Sequence, residues 1–398
     1  MTRRIVHLIS EFSLREAMGR TVAETASRVP GEHHLVTTSI HDGHEVFASV
    51  SEVGGSMAMF PASDPQQLNR ILGSINADVV HLHVGVLGSF LANRAGLHTR
   101  RTVLTMYAWP NLPSRAAWKH AGWSGLRSSN VMPTRVIATA AVPGGAVRRS
   151  VNRLAPSTIL TPDPRVLERL EGRVNSPVAR LMSGAPVTSR RATFDPIDGR
   201  PTIVFAGRAE SVRGIGTLLD ALPDVTQQVP NARLRLLVLP RPELAPMMRR
   251  VEELGLGDAV EVHIEPVPDL LAELETAQVG AWPFLADYTT SPPAMALAEG
   301  MVVGLPVVST PVSCVRAVMR PGIDGMAVAP GDHRALARLL VRFLTERDLW
   351  QEYARASIAA AARLDWKHAA DTTGQAYDAG VVDRVSEVPA TDQMMEVS

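Results

Sequence analysis

Two arginines in Gly207-Arg208-Ala-Glu-Ser-Val-Arg213-Gly214-Ile-Gly216 stand five residues apart on a turn that follows an apolar run and opens another through Leu218, Leu219 and Leu222. A helix N-terminus presents unpaired N–H groups and partial positive charge, and two guanidinium groups on the turn before it can close on a diphosphate from two sides. Gly207 and Gly214 let the backbone approach such a ligand. An ordinary strand–helix turn with two solvated arginines accounts for the same residues. A second segment, Tyr288-Thr-Thr-Ser291-Pro292-Pro293-Ala294-Met295-Ala-Leu-Ala-Glu299, offers related chemistry. Its prolines pre-set a first helical turn whose N–H groups face whatever follows Trp282-Pro283-Phe284. Glu299 lies about two turns further on, among alanine, leucine and methionine, where a carboxylate is costly unless it accepts hydrogen bonds. A ribose diol would supply them; so would a core arginine or a backbone amide.

Such turns require strands that end at them and helices that leave them. Short β-branched or apolar runs at 5–9, 35–38, 77–83, 102–106, 135–138, 157–160 and 179–182 alternate with stretches long enough for crossover helices. Turn residues and charge at 190–201 break the rhythm as a linker does, and it restarts at Thr202. Runs at 202–207, 234–239, 260–265, 279–282, 306–309 and 326–329 predict a second parallel sheet. One long helix is expected at 336–362, a shorter one to about 379, and a polar mobile tail after Asp383. The predicted fold class is α/β, with two doubly wound Rossmann-like domains whose strand C-termini face an interdomain cleft.

Length agrees, since 398 residues exceed one ordinary core. Forty basic and forty acidic residues cancel, so no global field draws in nucleic acid or an anionic membrane, and phosphate binding must be local. The lone Cys314 makes no internal disulfide and fits a reducing cytosol. The N-terminal basic residues lead into a short apolar run that reads as a strand, and no apolar stretch is long enough to span a bilayer. A cytoplasmic location is expected.

The order of the two segments resembles the donor half of retaining glycosyltransferases of family 4, on the GT-B fold. In that family strand-Gly-Arg-x4-Lys-Gly opens the second domain, and Gly207-Arg208 with Arg213-Gly214 fills the frame with arginine for lysine. The family's Glu-x7-Glu motif and following Gly-x-Pro-Val correspond to the stretch ending Glu299-Gly-Met-Val-Val-Gly304-Leu-Pro306-Val307; Ser291 stands where the first glutamate would be. Leu364-Asp-Trp366 sits where such enzymes carry a Trp before a final helix. The resemblance implies an acceptor-side domain at 1–197, a nucleotide-sugar domain at 198–365, a helix at 366–383 packing back on the first domain, and a tail at 384–398. Arg208 and Arg213 would hold the diphosphate, Glu299 the ribose, and the turn from Ser291 through Pro292, Pro293 and Ala294 to Met295 the phosphate and sugar.

Departures from the family pattern mark the other side of the cleft. Tyr107 takes the place of a histidine near the reacting sugar, and the Gly-Gly-x-x-Glu loop appears as Val312-Ser-Cys314-Val-Arg316. His81 and His83, two apart in a strand, share one side, with His83 nearer the cleft; a structural role and an acceptor role are both open, and a metal would need a third ligand that the spacing does not place. Gly19 is the glycine kept in the first loop. Trp109, Trp118 and Trp123 with Arg115, Lys119 and Arg127 could stack on an acceptor sugar, touch a membrane interface at its inner face, or pack inward. The expected activity is transfer of a sugar, with retention and without metal or other cofactor, from a nucleoside diphosphate sugar to an acceptor hydroxyl of unspecified class. A decayed glycosyltransferase-like binding subunit and a sugar-nucleotide epimerase are the alternatives.

Overall fold

A computed structural model describes residues 2–14, 16–54, 64–110, 141–239, 244–265, 267–286 and 292–378. We number only the strands of its two main sheets. In the first, β1 (Arg4–Ile9), β2 (Glu32–Thr37), β3 (Ser49–Glu52), β4 (Val79–Val84), β5 (Thr102–Met106), β6 (Thr158–Thr161) and β7 (Val178–Arg180) lie in the order 3-2-1-4-5-6-7. In the second, β8 (Thr202–Arg208), β9 (Arg233–Leu239), β10 (Val260–His263), β11 (Val279–Trp282), β12 (Val307–Ser309) and β13 (Met326–Ala327) lie in the order 10-9-8-11-12-13. Every pair is parallel. Strand order therefore reverses beside β1 and beside β8, and a doubly wound sheet opens a crevice at such a point.

The central strands are covered on both faces, so they read as unbroken apolar runs rather than alternating ones. β4 is buried along its whole length although two of its six residues are histidines. The expected run at 135–138 lies outside the described residues, as do 379–398. The sequence did not announce β3, nor the two-residue pair Glu11–Phe12 and Ser39–Ile40. The single helix expected at 336–362 is instead two, His333–Thr345 and Arg347–Ala361. They part at Glu346, whose backbone is extended and whose carboxylate accepts both Nε and Nη2 of Arg342 at 2.8 and 2.9 Å. The first packs on the helix Ile215–Gln228 and the second on Met295–Val302, so one straight rod would not have served both.

Leu181 closes the first domain's core, whereas Ala185 and Ala192 pack in the second's. Between them Gly184 lies so close to Trp366 that a Cβ would stand 2.3 Å from the indole. Ala185 N–H donates to the Leu364 carbonyl at 2.7 Å, tying the outgoing and returning chain together. The helix Trp366–Asp378 then buries Trp366, Ala369, Ala370, Ala376 and Tyr377 against Ile5, Val79, Val103 and Leu160 of the first domain.

Candidate active site

β8 delivers Gly207 and Arg208 to the cleft, and a single 3-10 turn, Ser211–Arg213, leads into the helix Ile215–Gln228. Gly214 joins them with φ of 82°, and a Cβ there would lie 1.8 Å from the Pro283 carbonyl oxygen. Only glycine satisfies both the left-handed backbone and the close approach. At Gly207 a Cβ would meet the Phe205 ring at 3.3 Å, a tight approach but to a side chain rather than to backbone. Leu285 N–H donates to the Val212 carbonyl at 2.8 Å, which locks the turn to the loop after β11.

Arg208 and Arg213 do not stand as two solvated cations. Glu210, only 2% exposed, lies between them, 3.0 Å from Arg213 Nε and 3.7 Å from Arg208 Nη1. A buried carboxylate thus orients both guanidinium groups. Arg208 is also paired with Glu16 of the first domain.

Glu299 is buried on the helix Met295–Val302, and its Oε1 accepts from Arg20 Nη1 at 2.5 Å, again across the cleft. Burial pushes the Glu299 carboxyl up, and Arg20 opposes that. Pro292, Pro293 and Ala294 are buried ahead of this helix, while Met295 is half-buried against the first domain's cluster around Trp366 and Tyr377. Ser291 lies outside the described residues. The Ala294 N–H is taken by the Cys314 carbonyl at 3.1 Å, so the backbone groups left for a ligand begin at Met295. The loop whose glycines are missing forms a short helix, Ser313–Arg316, with Arg316 exposed.

On the first domain, Glu16 and Arg20 begin the helix Ala17–Arg28. Gly19 has a packing role, since a Cβ there would sit 2.2 Å from the Ser13 carbonyl oxygen. Tyr107 follows β5 and is 1% exposed, so it does not present an open phenol; burial pushes its hydroxyl up. Trp109 packs toward the N-terminus of the helix Gly144–Leu154, where it crowds Gly144. Trp118, Trp123, Arg115, Lys119 and Arg127 lie outside the described residues. A cleft cavity of about 580 Å³ is lined by Leu14, Arg20, Ala185, Pro186, Glu299 and Trp366, among others.

His83 is 3% exposed and belongs to a chain of imidazoles that register creates. β1 pairs with β4 so that His7 lies opposite His81, and His83 follows on the same face. The Val29 carbonyl can only accept, so His33 Nε2 donates to it at 2.8 Å. His33 Nδ1 then accepts from His7 Nε2 at 2.9 Å, and His7 Nδ1 from His83 Nε2 at 3.1 Å. That leaves His83 Nδ1 to accept from the Tyr107 hydroxyl at 3.4 Å. Each ring is neutral in this order. Burial lowers the pKa of His83 to about 3 and that of His7 and His81 well below the usual histidine range.

His7 is also the third ligand that sequence spacing could not place. His7, His81 and His83 bring one nitrogen each within 4.8 Å of one another, a number and type of donor that zinc accepts. His81, however, is committed through both ring nitrogens to the hydroxyls of Tyr377 and Thr105 at 2.6 and 2.7 Å. These partners describe a hydrogen-bonded chain.

Residues 200–346 match the family model described as Glycosyl transferases group 1. The matched stretch runs from just before β8 through the helix His333–Thr345. A phosphatidyl-myo-inositol mannosyltransferase of Mycobacterium leprae is 31% identical over 184 residues, which are 44% of this chain and 46% of that protein. A D-inositol 3-phosphate glycosyltransferase of Streptomyces griseus is 28% identical over 191 residues, 45% of this chain and 39% of the relative. The chain thus spans about half the length of the curated relatives it matches. Among solved structures, sucrose-phosphate synthase from Thermosynechococcus elongatus gives a TM-score of 0.71 at 16% identity, covering 94% of this chain and 98% of that one. Anabaena Alr3699/HepE in complex with UDP and glucose gives 0.68 at 13%, covering 94% and 99%. At such identities the likeness is one of fold, and the fold is GT-B. Among the described residues no helix is long and apolar enough to cross a membrane.

Proposed function

We propose that this chain is a glycosyltransferase that moves a sugar from a nucleoside diphosphate sugar to an acceptor hydroxyl with retention of anomeric configuration. The observation that carries the reading is the Arg208–Glu210–Arg213 cluster at the carboxyl end of β8, where a buried carboxylate aims two guanidinium groups into the cleft. Charge develops on the leaving diphosphate as the glycosidic bond breaks, and fixed cations aimed at that position stabilise the transition state more than the ground state. The departing diphosphate, so held, is itself basic enough to take the acceptor proton, and no protein nucleophile is required. Glu299 accepts the ribose diol, and the first free N–H groups of the helix Met295–Val302 face phosphate or sugar. Tyr107 and His83 contribute a fixed, neutral wall beneath the acceptor side, and Trp109 packs beside it.

The arginines supply the positive charge that a divalent ion supplies in other diphosphate-handling sites, so turnover is expected to survive EDTA. The relatives are named for inositol-type acceptors, which makes a cyclitol the first acceptor to assay. Purified protein incubated with a panel of UDP- and GDP-sugars and inositols should release nucleoside diphosphate, with the product's anomeric configuration read by NMR. Arg208→Ala should lower kcat by about 10²-fold or more. A turnover little changed by Arg208→Ala would remove the cluster from the reaction. Steady nucleotide release excludes an inert binding subunit, and an isomeric sugar nucleotide formed without acceptor would show an epimerase instead.

A further inference from the structure

Two of the residues assigned to the donor, Arg208 and Glu299, are already engaged, and each by the first turn of one helix. Glu16 and Arg20 are four apart, so they project from the same face of the helix that starts at Ala17. Glu16 occupies the N-cap position with extended backbone, yet its side chain makes no cap hydrogen bond. It reaches across to Arg208 instead. Arg20 is pinned by its own Nε, which donates to the Leu14 carbonyl at 3.2 Å, and reaches across to Glu299. Gly19 presses this turn against Ser13, so the two side chains ride on a stiff arm.

The charges are matched in kind to a nucleoside diphosphate. Glu16 sets a carboxylate against the arginine expected to hold the diphosphate, and Arg20 sets a hydrogen-bond donor against the glutamate expected to hold the diol. With Glu16 in place, Arg208 and Arg213 are balanced by Glu16 and Glu210, and the cluster offers an incoming anion no net charge. Without Glu16 one positive charge is uncovered. We infer that Glu16 and Arg20 are a donor-gating pair: in the ligand-free protein they occupy Arg208 and Glu299, and a nucleoside diphosphate sugar binds by replacing both. This rests on the donor assignment proposed above.

The two contacts differ in strength. The Glu16 side chain is 40% exposed, and an ion pair open to solvent on that side is weak enough for a diphosphate to displace. Glu299 is 8% exposed, and a carboxylate so buried must keep a hydrogen-bond donor. Arg20 therefore yields only to a ligand that brings hydroxyls. Inorganic pyrophosphate opens the first contact alone, and a nucleotide carrying ribose opens both.

Titration calorimetry of the full chain separates these steps, using inorganic pyrophosphate, UDP, GDP, UDP-glucose and GDP-mannose as probes. When only a fraction of the free protein is competent, affinity falls by that fraction, and removing the competitor restores it. Glu16→Gln, a near-isosteric substitution at a half-buried position, should tighten pyrophosphate and the bound nucleotides by about tenfold. Arg20→Gln should tighten only the ribose-bearing probes, by about threefold or more, and leave pyrophosphate unchanged. Equal or weaker binding to Glu16→Gln, in protein whose wild type binds a nucleotide, would overturn the gate and leave the donor assignment standing. If neither wild type nor either variant binds any probe, the donor assignment falls and the gate with it. Circular dichroism of Glu16→Gln and a second variant, Glu16→Ala, guard against a folding defect being read as lost affinity.

Discussion

Asp324 shows how a buried charge is kept in this chain. It is 2% exposed; Arg320 Nε and Nη2 lie at 2.9 and 2.8 Å from its carboxylate and Arg363 Nη2 at 2.6 Å. Burial pushes its carboxyl up, but the hydrogen bonds from Arg320 and the charge of Arg363 outweigh this and hold it below the usual range. A depressed carboxyl stabilises the fold above its unfolded pKa of about 3.9, and the contribution is lost as pH falls through the folded value. Asp324→Asn should therefore cost about 2 to 3 kcal/mol near neutral pH, where charged hydrogen bonds are broken, and progressively less below about pH 4. Urea titrations of both proteins across that range test it. At the same scale, Arg208, Arg213 and Glu299 were legible as candidates because residue type and turn chemistry single them out. Glu210 lies in the same segment, but neither its type nor its spacing marks it, for its role depends on a side chain folding back between two others. Glu16 and Arg20 gave no signal, since their partners lie far away in sequence.

Elements were legible where hydrophobic pattern decides them. The βα rhythm placed the long central strands because burial on both faces demands continuous apolar runs. Edge and accessory strands such as β3 escaped, being short and half-buried. The break at Glu346 escaped because the apolar period continues through it on both sides. Neither did pattern reveal the imidazole chain, which requires the register of β1 against β4 to bring His7 to His81 and His83. That register has a measurable consequence. Rings held neutral when folded gain protons on unfolding, so the unfolded state binds more protons below about pH 6.5 and stability falls there. Each of His7, His81 and His83 should contribute about 1.4 kcal/mol per pH unit on the acid side of that value. Folded-state ring ¹⁵N shifts should stay those of neutral tautomers at pH 5; an imidazolium signal from these three would refute the assigned order.

Across the whole molecule, two sheets of like topology meet at their switch points, and the chain passes between them twice, at Gly184 and at Leu364. The returning helix Trp366–Asp378 covers apolar residues of strands laid down at the start of the sequence, and Tyr377 holds His81 through its hydroxyl. Ending the chain after Arg363 should accordingly unfold the first domain before the second. Hydrogen exchange would show early loss of protection in β1, β4 and β5 while β8 and β11 keep theirs; uniform loss would contradict it.

The same closure bears on biosynthesis. A ribosome delivers Ile5, Val79, Val103 and Leu160 long before Trp366 and Tyr377 exist to roof them. Domains usually mature in order of emergence, but here the leading one must wait, greasy side bare, until the trailing one has been translated. Chaperone dependence should accordingly track the interval between those two events rather than total chain length.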